Sequence, residues 1–336
     1  RRKLQDRFGD AGHGFVFPAK WHGGYRHQDI NVDASKGWTV GRHKLANPDP
    51  VGDYGLAGLT MTSGNPEDFA EIRTTRDNPH GRRAARIDLW ARTAPDGGSL
   101  VVLLDGQRKV VKTHSRAAGI RKWSWTLADR GHTVRLVPVG NGPVTLYGLA
   151  FDRTRPGVIL DQLGIPGMNA EVQLHWQEDT WASMLRDRKP DLVVLAYGTN
   201  AVGDDQQAQT MDAYAETWRR VVARLRAARP QAACLLVGPT DRLAKDEAGN
   251  LKTLARTPDV VATQQQVAAE LGCGWWDAVA AMGGPGSMAD WQKAGLATGD
   301  AVHLTRAGYP WLAELFHYAL LKDFGRSKAR HTAQVG

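Results

Sequence analysis

Asp191-Leu192-Val193-Val194-Leu195-Ala196-Tyr197-Gly198-Thr199-Asn200 is the stretch on which the fold turns. Leu192 to Ala196 is apolar without alternation, which predicts a strand buried on both faces, as in a parallel sheet covered by helices. Gly198 then permits a tight turn. Asn200 brings a carboxamide to the strand's carboxyl end, where open parallel sheets bind their ligands. The same pattern recurs to either side. Ala233-Cys234-Leu235-Leu236-Val237-Gly238 reads as a second buried strand, Val158-Ile159-Leu160 as a short one, and Cys273-Gly274-Trp275-Trp276-Asp277 as another. Helical spacing runs between them, over residues 171–187 (Leu174, Trp181, Leu185), 205–228 (Tyr214, Trp218, Val221, Val222, Leu225) and 258–271. A last helix is expected from Arg306 to Lys322, with Thr305 as its N-cap. Strand–helix alternation with apolar strands gives an α/β fold.

Upstream the period changes. Ala85-Arg86-Ile87-Asp88-Leu89-Trp90 and His132-Thr133-Val134-Arg135-Leu136-Val137 alternate apolar with polar, and Asp96-Gly97-Gly98, Asp105-Gly106 and Gly140-Asn141-Gly142-Pro143 punctuate them as turns. Short alternating strands at this spacing predict a β-sandwich or jelly roll. Residues 1–36 hold Gly, His and aromatics but no self-sufficient unit. The economical division is a first segment of the α/β domain at 1–36, an inserted sandwich at 37–153, the main α/β part at 154–325 and a basic tail at 326–336.

Composition narrows the classes. The chain has 336 residues, 42% hydrophobic and 23% charged, so it can bury a core and is not a disordered protein. No apolar run approaches the ~18 residues that span a bilayer. Two cysteines do not make a disulfide scaffold. They are expected to be reduced, although one Cys234–Cys273 bridge stays open. Lys and Arg number 43 against 35 Asp and Glu, giving +8. Such a surface favours anionic partners. The charges are scattered, however, and the only dense run is Arg326-Ser327-Lys328-Ala329-Arg330-His331. With no recognition motif or basic stripe, no nucleic-acid partner is expected.

Three loops carry chemistry. The Tyr197–Asn200 turn offers its carboxamide. Gly164-Ile165-Pro166-Gly167-Met168-Asn169, after the strand at 158–160, offers a backbone N–H with no side chain in the way. Asp300-Ala301-Val302-His303-Leu304 precedes the last helix, and an Asp three residues before a His accepts from one ring nitrogen while the other faces a nucleophile. Each loop alone is a common turn or cap. Together, in this order and each at a strand's carboxyl end, they point to one site.

These residues carry a resemblance to the SGNH/GDSL hydrolases, esterases and acyl-transferring relatives built on a flavodoxin-like parallel sheet. By position, Gly167 matches the family's oxyanion glycine, Asn200 its oxyanion asparagine, and Asp300 and His303 the acid and base of its triad. Asn169 and Ser287, the latter in Gly286-Ser287-Met288, are expected to contact substrate. The resemblance covers 155–323 well and 1–36 loosely. Its nucleophile block, Gly-Asp-Ser, does not occur in these 336 residues. Gly9-Asp10-Ala11 imitates it with alanine in place of serine. Arg1 to Phe8 reads as the end of a helix stopped by Gly9. The serine is therefore expected on a strand roughly 10–20 residues ahead of Arg1, about one helix length. Residues 1–336 alone should then hydrolyse acetyl esters poorly. A catalytically dead relative, and a serine displaced elsewhere in the chain, are the alternatives.

An inserted sandwich in such a hydrolase resembles bacterial peptidoglycan O-acetylesterases, whose insert is similar to carbohydrate-binding modules. That implies an O-acetylated glycan as partner, peptidoglycan or another polysaccharide, and a periplasmic or secreted destination. A relative that transfers the acetyl group instead is the second possibility. Trp123 and Trp125 are candidates for stacking on sugar rings, or are half-buried strand positions. The implied mechanism needs no cofactor or metal. His22, His27, Asp29 and His43 cluster in sequence without metal-ligand spacing, and are expected to pack where the first segment meets the sandwich.

Overall fold

The structure is a computed structural model that describes residues 1–23, 25, 27–43, 51–203 and 209–335, with side chains described up to Arg326. The chain forms two compact units, one of Arg1–Pro166 with His175–Asp187 and one of Gly167–Leu174 with Arg188–Gly336.

The first unit opens with α1 (Arg2–Phe8), which stops at Gly9. Its strands are β1 (Gly12–Val16), β2 (Ile30–Ala34), β3 (Thr39–Arg42), β4 (Leu59–Ser63), β5 (Ala70–Thr74), β6 (Ala84–Thr93), β7 (Ser99–Leu104), β8 (Gln107–Lys112), β9 (Gly119–Arg130), β10 (Thr133–Pro138) and β11 (Val144–Asp152). They make two antiparallel sheets. One runs β3-β4-β11-β6-β9, with β1 also on β11; the other runs β2-β5-β10-β7-β8. Alternation does its expected work in β10, where Val134 and Leu136 are fully buried and Thr133 and Arg135 are not. β11 is buried almost throughout, because β4, β6 and β1 surround it. Gly148 at its centre lies under Phe15; a Cβ there would come within 2.2 Å of the ring.

Residues 1–36 do not stand apart from these sheets. β1 pairs with β11, and β2 pairs with β5. The reason is the short run Phe15-Val16-Phe17. All three side chains are buried, and Phe15 leans on Trp90 with ring centroids 6.1 Å apart. Helix α2 (Glu178–Arg188) belongs to this unit through Asp187, which accepts from Trp90 Nε1 at 3.1 Å.

The second unit holds the parallel sheet, in the order β12 (Leu192–Ala196), β13 (Ala233–Val237) and β16 (Gly274–Trp276). A hairpin of β14 (Leu243–Lys245) and β15 (Leu251–Thr253) follows β13. Helices α3 (Met211–Ala228) and α4 (Thr257–Glu270) pack on each other, joined by the fork of Arg219 on Glu270 at 2.8 Å. Trp218 is fully buried in α3; truncating such a residue to alanine costs about 3–5 kcal/mol. Short helices α5 (Ala278–Met282) and α6 (Ser287–Lys293) precede α7 (Gly308–Val335), and Thr305 Oγ1 accepts from the Gly308 amide at 3.2 Å as an N-terminal cap.

Four expectations need correcting. Val158-Ile159-Leu160 is not a strand: Val158 makes one parallel bridge to Asp10, and Ile159 and Leu160 are exposed. The parallel sheet therefore has three strands among the described residues, and the larger sheets are antiparallel. β12 is not buried on both faces. It pairs only with β13 among the described residues, and as an edge strand it leaves Leu192 42% and Val194 41% exposed. The last helix runs on to Val335, through the backbone of the expected basic tail. Cys234 and Cys273 form a disulfide with a Cα–Cα distance of 4.9 Å. β13 and β16 pair in parallel with Leu235 opposite Gly274, so the residues just before that pair are neighbours. The beginning of the helix expected at residue 205 lies outside the described residues. No helix among them is long and apolar enough to cross a membrane.

Candidate active site

Every residue singled out for catalysis or substrate contact falls in the second unit. The acid–base loop is set by what lies beneath it. Ala301 and Leu304 are buried in an apolar cluster with Leu243, Met282, Met288 and Trp291. Anchoring these two positions turns Asp300 and His303 outward. Ala301 has φ +56°, a left-handed conformation that costs a non-glycine residue of order 1–3 kcal/mol. That turn folds the Asp300 carboxylate back on its own chain. Oδ1 accepts from Thr298 Oγ1 at 2.6 Å, the Val302 amide at 2.9 Å and the His303 amide at 3.0 Å. Oδ2 lies 2.7 Å from His303 Nδ1. The His303 amide first, then the Thr298 hydroxyl, the His303 ring and the Val302 amide hold Asp300 well below the usual carboxylate range. An ionised Asp300 fixes the proton of His303 on Nδ1 and leaves Nε2 as the acceptor. The imidazole is 68% exposed, and Nε2 bonds to none of the described residues.

The second group forms around the turn after β12. Gly198 has φ +129° and sits against Pro239 and Gln264; a Cβ there would come 3.0 Å from Pro239 Cδ and 3.1 Å from Gln264 Nε2. Asn200 Nδ2 donates to the Met168 carbonyl at 3.1 Å, which joins the Asn200 carboxamide to the Gly167 turn. A carboxamide nitrogen has two hydrogens, so one remains for another acceptor. Gly167 is exposed, and its amide bonds to none of the described residues.

A chain of bonds ties this group to the acid–base loop. Arg242 Nη1 donates to the Thr199 carbonyl at 3.3 Å, and the Leu243 amide donates to the Ala301 carbonyl at 3.1 Å. Adjacent residues of one segment thus hold the neighbour of Asn200 and the neighbour of Asp300. The other two candidates are enclosed. Ser287 is buried, and its Oγ has no partner among the described residues. Its loop is fixed by the fully buried Asp241, which accepts from the Met288 amide at 3.0 Å and from Thr253 Oγ1 at 2.7 Å. Asn169 is half-buried, with its Oδ1 unpaired among the described residues.

Gly9-Asp10-Ala11 lies in the first unit. It follows the end of a helix rather than a strand, and Asp10 is engaged by Arg153 at 3.0 Å. It is not a strand-to-helix elbow.

Several supporting residues escaped the sequence reading. Gln264, fully buried, donates to the Tyr197 carbonyl at 3.0 Å and to Tyr214 Oη at 2.8 Å. Gln173 Nε2 donates to Tyr197 Oη at 3.1 Å, and Arg224 donates to the Gln173 carbonyl. Burial pushes the Tyr197 phenol up, and that of Tyr214 up to about 12. This network holds the backbone that leads to Asn200. One signal was available: Gln264 sits between Val260 and Val267 at helical spacing, a polar residue on an apolar stripe. Thr298, two residues before Asp300, was a second.

The early histidines take structural partners. Asp29 is gripped by Arg1 and Arg2, His27 lies 3.1 Å from His13 and 2.6 Å from Tyr25 Oη, and His43 stacks on His175. No group of three or more potential metal ligands occurs among the described residues.

An ionised carboxylate bonded to an accessible imidazole, in the same unit as a carboxamide with a hydrogen to spare and a bare amide, supplies groups that acyl transfer uses. The family model of the GDSL-like lipases and acylhydrolases matches residues 139–311. The chain belongs to that family, and at the coarse level it is a carboxylic ester hydrolase. A solved peptidoglycan O-acetylesterase has the same fold: TM-score 0.79 at 23% identity, covering 97% of this chain and 86% of that one. A family two carbohydrate esterase from Cellvibrio japonicus (15% identity, 74% and 88% covered) and a salicylyl-acyltransferase from a tetracycline biosynthetic pathway (14%, 88% and 98%) have TM-scores of only 0.23 and 0.34, too low to bear on the argument. No curated protein matches the chain in sequence.

Proposed function

We propose that the protein removes O-acetyl groups from a carbohydrate, peptidoglycan being the favoured substrate, through a serine–histidine–aspartate mechanism. The observation that carries this reading is the Asp300–His303 pair, with an ionised, fourfold-bonded carboxylate on one ring nitrogen and open access at the other. The nucleophile is assigned to a serine outside residues 1–336, on a strand ahead of Arg1 that would extend the three parallel strands into a flavodoxin-like sheet.

In the first step the serine Oγ attacks the acetyl carbonyl, and its proton passes to His303 Nε2. The carbonyl π pair moves onto oxygen, where the free hydrogen of Asn200 Nδ2 and the Gly167 amide receive the negative charge. Asp300 stays ionised and stabilises the imidazolium. The intermediate collapses, the sugar oxygen leaves, and His303 returns the proton to it. Water repeats the sequence on the acetyl-serine and releases acetate. Each oxyanion donor is worth about 10²–10³ in kcat. The sandwich strands are read as a glycan-binding insert. The Cys234–Cys273 bridge and the fold likeness support an oxidising compartment, periplasmic or extracellular.

The test uses the full-length protein with p-nitrophenyl acetate. His303→Ala should lower kcat by about 10⁶-fold, and Asn200→Ala by about 10²–10³-fold with little change in KM. Wild-type turnover in His303→Ala would end the assignment.

A further inference from the structure

The first unit carries a concavity of its own, about 700 Å³ in volume. Part of it is a row of side chains on three adjacent strands: Asn31 of β2 faces Arg73 of β5, and Arg73 faces Thr133 of β10. The loop after β5 adds Arg76, Asp77 and Arg82, and the end of β9 adds Arg130.

The frame around these groups is fixed. His132, buried at the base, has Nδ1 2.8 Å from Asp105 Oδ2 and Nε2 within 3.0 Å of the Ala84 and Ala128 carbonyls. Its amide donates to Thr74 Oγ1 at 2.9 Å. The loop that carries Arg76 and Arg82 is tied through His80, whose Nε2 lies 2.7 Å from Asp6 of α1 and whose amide donates to Asn78 Oδ1 at 3.0 Å. Backbone ordered in advance lowers the entropy lost on binding.

The charges are unevenly satisfied. Arg73 reaches Glu71 at 3.4 Å, and Arg130 reaches Asp105 at 2.7 Å. Arg76 and Arg82 are exposed and pair with no carboxylate among the described residues. Two guanidinium groups left over in a concave, ordered frame draw an anion. Their planar forks suit a carboxylate, which takes two parallel bonds from one fork. Asp77, exposed on the same loop, and the Asn31 carboxamide add acceptors that hydroxyl groups can donate to. An inorganic polyphosphate or a DNA backbone has no such donors to offer. The matching ligand carries carboxylates and hydroxyls together.

We propose that this concavity binds a carboxylate-bearing saccharide, with the carboxylate on Arg76 and Arg82 and hydroxyls donating to Asp77 and Asn31. The proposal deepens the reading of the sandwich as a glycan-binding insert and does not depend on the esterase mechanism.

The experiment measures binding of polygalacturonate to the full-length protein by titration calorimetry at low and moderate salt. Wild type is expected to bind, and to bind the methyl-esterified polymer about tenfold more weakly or less. Arg76→Ala/Arg82→Ala should lose about tenfold or more with its unfolding midpoint unchanged, since both side chains are exposed. Arg108→Ala/Lys109→Ala on β8 removes the same charge elsewhere and should bind like wild type. The proposal is overturned if wild type does not bind, if the two double variants weaken alike, or if polyglutamate or polyphosphate binds as well as polygalacturonate.

Discussion

The Cys234–Cys273 disulfide offers the most quantitative check on the second unit. Replace both residues with serine. The bridge closes a segment with a sequence separation of 39, containing the β14–β15 hairpin and α4. In the folded state its removal changes little, because β13 and β16 remain hydrogen-bonded in register over Leu235–Val237 and Gly274–Trp276. The effect falls on the unfolded chain, which regains the freedom the bridge denied it. For a loop of this size the entropy is about 13 cal/mol/K, or about 4 kcal/mol at 25 °C. That is a large share of the ~5–15 kcal/mol by which domains are usually stable. The assay is urea unfolding followed by tryptophan fluorescence, with and without reductant. The serine variant should unfold at a lower urea midpoint, equivalent to about 2–5 kcal/mol, and reductant should shift wild type to the same place while leaving the variant where it is. If reductant does nothing to wild type, or if thiol titration of the native protein finds two free cysteines, the reasoning fails at its first step.

Two further predictions rest on buried polar groups. Gln264→Leu leaves the Tyr197 carbonyl without its donor and should destabilise the second unit by about 1–3 kcal/mol; Gln264→Glu, whose carboxylate has no hydrogen to give that carbonyl, should be no better, and a Gln264→Leu variant unchanged in stability and in kcat for an acetyl ester would remove Gln264 from holding the turn to Asn200. The His13–His27–Tyr25 chain predicts acid sensitivity in the first unit. Burial, then the charge of Arg1, lowers His27 to about 4, and burial lowers His13 to about 2. Because the folded values lie below the unfolded ~6.5, the unfolded chain takes up protons first. Stability is full above about pH 6.5 and is lost as pH falls toward 4, by about 3 kcal/mol for His27 alone. Asp29, Arg1 and Tyr25 face the same chain, so His27→Gln is the clean comparison: its unfolding midpoint should vary less between pH 7 and pH 4.5 than that of wild type, and equal slopes would refute the linkage.

Sequence spacing was a good guide where one element decides its own structure. α3 follows Tyr214, Trp218, Val221, Val222 and Leu225, and the Asp300–His303 spacing led directly to a bonded pair because three residues of chain suffice to close it. It failed where distant segments decide. Val158-Ile159-Leu160 has a strand's composition, but a strand needs a partner ladder and only Asp10 supplies a rung. β1 and β2 were missed for the opposite reason: Gly12-His13-Gly14 looks like loop, yet β11 is there to receive it. The Cys234–Cys273 pairing stays open in the sequence, because two cysteines near the starts of apolar strands fix neither the strand order nor the register that brings them together. The network that holds Tyr197 brings together Gln173, Tyr214 and Gln264 from distant segments, and no spacing along the chain shows that they meet.

The meeting of β1 with β11 has a mechanical corollary. Gly12 faces Asp152 across that ladder, and Arg153 bonds to both Asp10 and Asp129. Everything between enters and leaves through one gate. A pull applied to the segments on either side of the gate would load the Asp10–Val158 bridge and the Arg153 clamp first and then peel β1 from β11 one rung at a time. Along this path the sheets strung between are loaded only once that zipper has opened.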